Sequence, residues 1–214
     1  MSSSPRLTTT SYAVLSLLAV RPMSTYELAQ QMRHSLGRFW PRAQSKLYEE
    51  PKKLVDHGLA TARKERVGDR PRTVYRITAE GRRALADWMA EPAAGPSLEF
   101  EGLLKVSFAE HGTRGDALAH LAAVRAWAVE RNEENLATGR AYLAGEGEFQ
   151  ARVAQNMLGG SFLTEYYRMV AEWADWATAL VERWPDDPAG AVVDAEAFAR
   201  IVERAGWSEA DPSQ

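Results

Sequence analysis

Along most of the chain the apolar residues recur three and four positions apart, the period of helices with one buried face. Tyr12, Val14, Leu15, Leu17 and Leu18 predict a helix over Ser11–Val20, capped by Thr9 or Thr10. Arg21-Pro22 stops it, because a residue before proline disfavours the helical conformation. Ser24-Thr25-Tyr26-Glu27 is a capping box that opens a second helix through Met32, with Leu28 and Met32 four apart on one face. Gly37 and Pro41 bracket a connection whose Phe39 and Trp40 are expected to pack. A third helix is expected from Ala43 to about His57. Leu47, Leu54 and Val55 turn inward in it, Ser45, Lys46, Tyr48, Glu49, Lys52 and Lys53 turn outward, and Gly58 ends it. Pro51 falls inside that span and removes a backbone hydrogen bond. The expectation is a kink near Leu47, or two short pieces of which Gln44–Glu50 is the first.

The period then shortens. Leu59–Lys64 and Thr73–Ile77 read as paired strands joined by Val67-Gly68-Asp69-Arg70-Pro71-Arg72, so that Arg70 and Arg72 add to the flanking Arg63, Lys64 and Arg66. Thr78 caps a helix through Ala90, with Leu85, Trp88 and Met89 as its apolar side. A helix, a turn-linked helix and a basic hairpin in this order make a winged helix-turn-helix.

The Pro/Gly/Ala stretch after Glu91 marks a boundary. It divides the chain into residues 1–91, a linker at 92–97, a helical domain at 98–185 and a tail at 186–214. Phe100, Leu103, Leu104 and Phe108 predict a helix ending near His111-Gly112. A long helix follows from Thr113 or Gly115-Asp116 to about Leu143. Another runs from about Glu148 to Trp184, with Gly159-Gly160 as the place for an interruption. Tyr166, Val170, Trp173, Ala177, Leu180 and Trp184 alternate four and three apart. Such a heptad stripe requires a partner helix from the same chain or from a second copy. In the tail, Asp194 caps a short helix through Arg204 whose Phe198, Ile201 and Val202 add a dimer contact or dock as an appendage. The expected fold class is mostly α with a small β-hairpin wing: a winged helix-turn-helix domain plus a helical dimerisation domain.

Charge sharpens this picture. The net charge of −3 conceals two halves of opposite sign: residues 1–91 carry 16 Lys+Arg against 9 Asp+Glu, net +7, and residues 92–214 carry 10 against 20, net −10. A basic module beside an acidic one is the footprint of a nucleic-acid binder with a separate control or assembly domain. Apolar content of 45% is ample for packed cores in one large or two modest domains.

Other chemistry is excluded residue by residue. The chain has no cysteine, so disulfides, thiolate metal sites and cysteine nucleophiles are out, which fits the cytoplasm. MSSSPRLTTT has no apolar signal core and no run approaches the roughly 18 apolar residues of a membrane span, so no membrane partner is expected. No Gly-rich phosphate loop with lysine occurs, and His34, His57, His111 and His120 lie in no metal-ligand spacing. Glu130, Glu133 and Glu134 read as a solvated helix face rather than an acid–base pair, and nothing resembles a nucleophile with its base. The expectation is a non-enzyme with no cofactor and no metal.

The run Ser45-Lys46-Leu47-Tyr48-Glu49-Glu50-Pro51-Lys52-Lys53-Leu54, followed by His57-Gly58-Leu59, resembles the recognition helix and exit turn of PadR-family transcriptional regulators. Tyr75-Arg76-Ile77-Thr78 with Gly81-Arg82 is similar to that family's second wing strand and following helix. Tyr12–Val20 with Ser24-Thr25-Tyr26-Glu27-Leu28 is similar to its opening helices. The resemblance covers about residues 8–90. More loosely it covers 98–184, which resembles the helical C-terminal domain of virulence-activator-type members. Pro51 departs from the uninterrupted helix that is commonest there. The resemblance implies a homodimer, and a two-fold dimer presents two recognition helices about one DNA turn, roughly 34 Å, apart. It also implies a response to phenolic or drug-like compounds. Trp127, Trp173 and Trp176, with Trp184, Met157 and Met169, are the candidates for a flat aromatic effector pocket, the other reading being core or dimer seam.

Within this reading Gln44, Ser45 and Tyr48 are the base-edge candidates, Lys46, Lys52 and Lys53 hold phosphates, and Arg63, Arg70 and Arg72 belong to the wing. The expected function is a homodimeric repressor that binds a palindromic operator in double-stranded DNA and is released by a small aromatic effector. The competing reading is a winged-helix protein-interaction module without sequence-specific DNA binding. The outward cations favour DNA, because a protein-binding winged helix needs no such cluster.

Overall fold

The computed structural model describes residues 7–34, 36–40, 48–67 and 70–208. The chain forms two compact units, Met1–Pro96 and Ser97–Gln214.

The first unit opens with helix α1 (Thr9–Val20). Thr8 caps it, one residue ahead of the expected position. Its hydroxyl accepts from the Ser11 N–H at 3.2 Å, while the Ser11 hydroxyl accepts from the Thr8 N–H at 3.0 Å. Val14, Leu15, Leu17 and Leu18 form its buried side, and Met23, Leu28 and Met32, which follow, are buried as well. Strand β1 (Met23–Ser24) leads into α2 (Thr25–His34), whose start is the predicted capping box: the Ser24 N–H and hydroxyl each donate to the Glu27 carboxylate at 2.7 Å.

Helix α3 (Glu50–Asp56) starts beside Pro51, which replaces the expected kink and is compatible with the two-piece alternative, whose first piece, Gln44–Glu50, lies largely outside the described residues. The proline stands in the first turn, where a missing N–H breaks no helical bond and a fixed φ favours initiation. It therefore starts this helix rather than kinking one. Leu54 is buried and Val55 half-buried, whereas Leu47 lies outside the described residues. At the exit Gly58 adopts φ +71°. Its N–H donates to the Val55 carbonyl and the Leu59 N–H to the Leu54 carbonyl, each at 2.9 Å, the paired bonds of a Schellman stop.

Strands β2 (Ala60–Val67) and β3 (Arg70–Ile77) form an antiparallel hairpin, and β1 adds to β3 to give the order β1-β3-β2. Both strands are longer than the sequence suggested, so Pro71 and Arg72 lie in β3, opposite Arg66 and Glu65. Proline is tolerated there because β1 pairs only with Val74 and Tyr75, which leaves the outer end of β3 as an edge. Helix α4 (Ala79–Ala90) is capped by Thr78, which accepts from the Gly81 N–H at 3.0 Å. Trp88 stacks on Tyr12 with ring centroids 4.7 Å apart. Met89, expected on the apolar side, is 64% exposed instead.

The second unit contains α5 (Glu101–Ser107), α6 (Arg114–Leu143), α7 (Val153–Val181) and α8 (Ala195–Ala205). Thr113 and Asp116 make a reciprocal cap on α6. Helices α6 and α7 run antiparallel: Arg125 pairs with Asp175 at 2.6 Å, and Asn135 donates to Thr164 at 2.8 Å. Helix α7 passes unbroken through Gly159-Gly160, contrary to the expected interruption. The phase of its stripe also changes. Leu163, Tyr167, Val170, Ala174, Ala177 and Val181 are the buried positions, facing Ala117, Leu121, Val124 and Ala128 of α6. Of the expected stripe Val170 and Ala177 are buried in this seam, and Tyr166, Trp173 and Trp184 are half-buried and pack against its clusters. Asp194 caps α8, whose Ala197 is buried while Phe198, Ile201 and Val202 remain exposed.

Candidate nucleic-acid interface

The outer surface of α3 and of the hairpin carries the cations that the sequence proposed, but not all of them are free. Tyr48, just before α3, is 65% exposed. Lys52 is exposed and makes no ion pair among the described residues, whereas Lys53 Nζ lies 3.9 Å from the Glu50 carboxylate. Gln44, Ser45 and Lys46 lie outside the described residues, as does the side chain of Arg70.

On the hairpin the charges sort by face. Thr61, Arg63 and Glu65 share one face of β2, because side chains alternate along a strand. Glu65 takes Arg72 from the opposite position of β3 at 3.5 Å and Arg76 at 3.8 Å, and Arg72 also lies 4.0 Å from Glu27 at the start of α2. Arg72 thus braces the wing against α2. Arg63, Lys64 and Arg66 are exposed and have no ion pair among the described residues. The signal that could have separated them from Arg72 is the strand register, which sets Glu65 and Arg72 face to face.

Glu27 joins this brace to the helix cap. Burial raises its carboxyl pKa, but the Ser24 N–H, the Ser24 hydroxyl and Arg21 at 3.0 Å outweigh burial and hold it at about 2, below the ordinary 4.5. A depressed carboxylate stabilises the fold above its unfolded pKa, and that contribution disappears as pH falls through the folded value. Glu27→Gln is therefore expected to lower unfolding free energy by on the order of 2 kcal/mol above about pH 5, after discounting for partial exposure, with the gap to the parent closing towards pH 2. Urea titrations of both proteins between these pH values check it. A gap independent of pH would remove the charge from the explanation.

The three tryptophans proposed for an effector lie along the second unit without sharing one enclosed cavity. Trp127 packs edge-on against Tyr167 and Tyr166, with centroids 5.7 and 6.3 Å away, and Trp173 packs edge-on against Phe100 at 5.8 Å. Trp176 lines a groove with Leu180, Arg183, Trp184 and Phe198 that includes neither of the other two. No described helix is long and apolar enough to cross a membrane.

A buried α1–α2 pair, a solvent-facing α3 and a cation-bearing hairpin beside it define the first unit as a winged helix-turn-helix, followed by a mainly helical second unit. Residues 14–87 match the model of the transcriptional regulator PadR-like family, so the likeness to that family lies in this domain. The negative transcriptional regulator PadR of Bacillus subtilis is 32% identical over 108 residues, 50% of this chain and 59% of that protein. A probable transcriptional regulator of Mycobacterium tuberculosis is 33% identical over 82 residues, 38% of this chain and 43% of its own length. The chain thus spans about half the length of these two relatives. Among solved structures, B. subtilis PadR in complex with operator DNA superposes with a TM-score of 0.70 at 23% identity, covering 81% of this chain and 99% of that one. The same protein has also been solved with p-coumaric acid. The Vibrio cholerae virulence activator AphA superposes with a TM-score of 0.60 at 24% identity, covering 79% and 96%. At these identities the structural likeness establishes the shared fold.

Proposed function

We propose that this protein is a homodimeric transcriptional regulator that binds a palindromic operator in double-stranded DNA and acts in the cytoplasm as a repressor. The observation that carries the reading is the pairing of Lys52 on α3 with Arg63, Lys64 and Arg66 on the wing, all exposed and free of ion pairs among the described residues. Unpaired cations on a winged-helix surface neutralise phosphates, while Tyr48, and by sequence Gln44 and Ser45, supply contacts to base edges. Lys46 and Arg70 extend the phosphate set. Arg72 and Lys53 contribute less, since acidic neighbours engage them.

Dimerisation is supported by a second stripe on α7. Phe162, Tyr166, Met169, Trp173, Trp176 and Leu180 keep the same four–three spacing beside the stripe that packs on α6, yet Phe162 is 61% and Met169 53% exposed. An aromatic seam of this kind fits a second copy of the chain. Trp127, Trp173 and Trp176 lie on or beside it, and in this reading they also receive a small aromatic effector that releases the operator. The complex of B. subtilis PadR with p-coumaric acid supports that class of ligand.

Selection of bound duplexes from a random DNA pool, followed by a salt titration of the winner, tests the reading. Enrichment of a two-fold symmetric site with half-sites about one helical turn apart is the expected result. Weak, salt-sensitive binding with no enriched sequence would instead favour a winged-helix protein-interaction module.

A further inference from the structure

Among the described residues, Glu50 is the charged side chain that the fold buries, at 4% exposure. Its Oε2 accepts a hydrogen bond from the Ser11 hydroxyl at 2.6 Å, and its Oε1 lies 3.9 Å from Lys53 Nζ. Ser11 belongs to the first turn of α1, a turn with no acidic residue of its own. The free N–H groups of a helix start carry partial positive charge, so a carboxylate delivered there from elsewhere in the fold is stabilised. Glu50 is also the first residue of α3, and Pro51 behind it fixes φ near −65°. One end of α3 is thereby pinned to α1 through a buried, charge-assisted contact, with little rotational slack.

We propose that Glu50 is a positioning residue for sequence recognition: by bonding Ser11 it sets where Tyr48, two residues before it, and Lys52, two residues after it, stand relative to α1. Glu50 does not touch DNA. The inference rests on the DNA-binding reading above. A contact to a base edge tolerates little displacement, because donors and acceptors must meet in one geometry, whereas a flexible lysine follows a phosphate across a small shift. Loosening the start of α3 therefore acts on discrimination between sequences and spares the phosphate term.

The test compares the full-length protein with Glu50→Met, Glu50→Gln and Ser11→Ala on two duplexes, the one selected by the parent protein and a scrambled one. Methionine fills the space without an acceptor and removes the buried charge, a change buried sites commonly tolerate. Glutamine keeps an acceptor for Ser11. The expected result is a folded Glu50→Met protein whose preference for the selected duplex falls about tenfold, the worth of roughly one base contact. Its salt slope on the scrambled duplex stays that of the parent, and Glu50→Gln recovers most of the preference. Parental preference in Glu50→Met, or an equal loss on both duplexes, overturns the inference. Should Glu50→Met fail to fold, Ser11→Ala decides: parental preference overturns the inference and a selective loss supports it. A parent protein that prefers no duplex overturns the DNA-binding reading itself, and the inference with it.

Discussion

Replacing Lys52, Arg63 and Arg66 together by alanine is expected to weaken binding to every duplex by about a hundredfold at ~0.15 M salt. Each lost phosphate contact flattens the dependence of log affinity on log salt by about 0.9, which at this ionic strength is about 0.7 of a decade, and three contacts give about two decades. The slope itself should flatten by about 2.7, equally on selected and scrambled DNA, because phosphates carry no sequence information. Alanine at Arg72 is the contrast. That guanidinium is already engaged by Glu65 and Glu27, so its loss should leave the slope nearly unchanged and lower stability instead. Fluorescence anisotropy across a salt series measures both. A triple variant with the parental slope would remove the α3 and wing cations from the interface, and with them the observation on which the proposed function stands.

The same contrast marks the line between what the sequence disclosed and what it hid. Ser24 with Glu27, Thr78 with Gly81, Thr113 with Asp116 and Asp194 with Ala197 were legible as helix starts, because each bond joins residues three apart. Gly58 was legible as a stop for the same reason. Contacts between distant residues were not. The Ser11–Glu50 bond spans 39 positions, and nothing near Glu50 in the sequence says that its carboxylate is buried. The engagement of Arg72 depends on strand register, and the strands proved longer than their apolar alternation implied.

Helix α7 shows a third kind of limit. Positions 162, 166, 169, 173, 176 and 180 are apolar, and so are 163, 167, 170, 174, 177 and 181. Two adjacent stripes with identical spacing make the buried phase ambiguous, and the stripe expected from the sequence mixed them. Packing against α6 buried the second set and left Phe162, Met169 and Trp176 of the first exposed, with Tyr166 and Trp173 half-buried against the edge of the seam. Gly159-Gly160 misled in the opposite sense. Each glycine costs about 1 kcal/mol of helix propensity, which the packing of the long α6–α7 pair outweighs. For the candidate site, the region and the sign of charge were readable from sequence. Which cations are free was not, because that depends on where the carboxylates fold.

Alanine at Gly81 should unfold the winged-helix unit more readily than an ordinary surface substitution does. A Cβ built there would stand 2.1 Å from the Leu59 carbonyl oxygen and 2.8 Å from Ile77 Cγ1. The oxygen has little freedom to retreat. It accepts the Thr78 N–H at 3.0 Å, and Leu59's own N–H is held in the stop of α3. Thr78 is fixed in turn, since its hydroxyl donates to the Gly58 carbonyl at 2.8 Å and accepts the Gly81 N–H. The start of α4 is thus clamped to the end of α3 by backbone groups, and an added methyl can be accommodated only by lifting α4 away. That movement would also pull Trp88 from the face of Tyr12. Overpacking against backbone of this kind is expected to lower unfolding free energy by at least about 3 kcal/mol, a large fraction of a small domain's stability. Urea unfolding of the parent and Gly81→Ala proteins, compared at equal denaturant slope, measures it. A variant within about 0.5 kcal/mol of the parent, the range of an ordinary surface substitution, would mean that the α3–α4 junction is looser than its hydrogen bonds require.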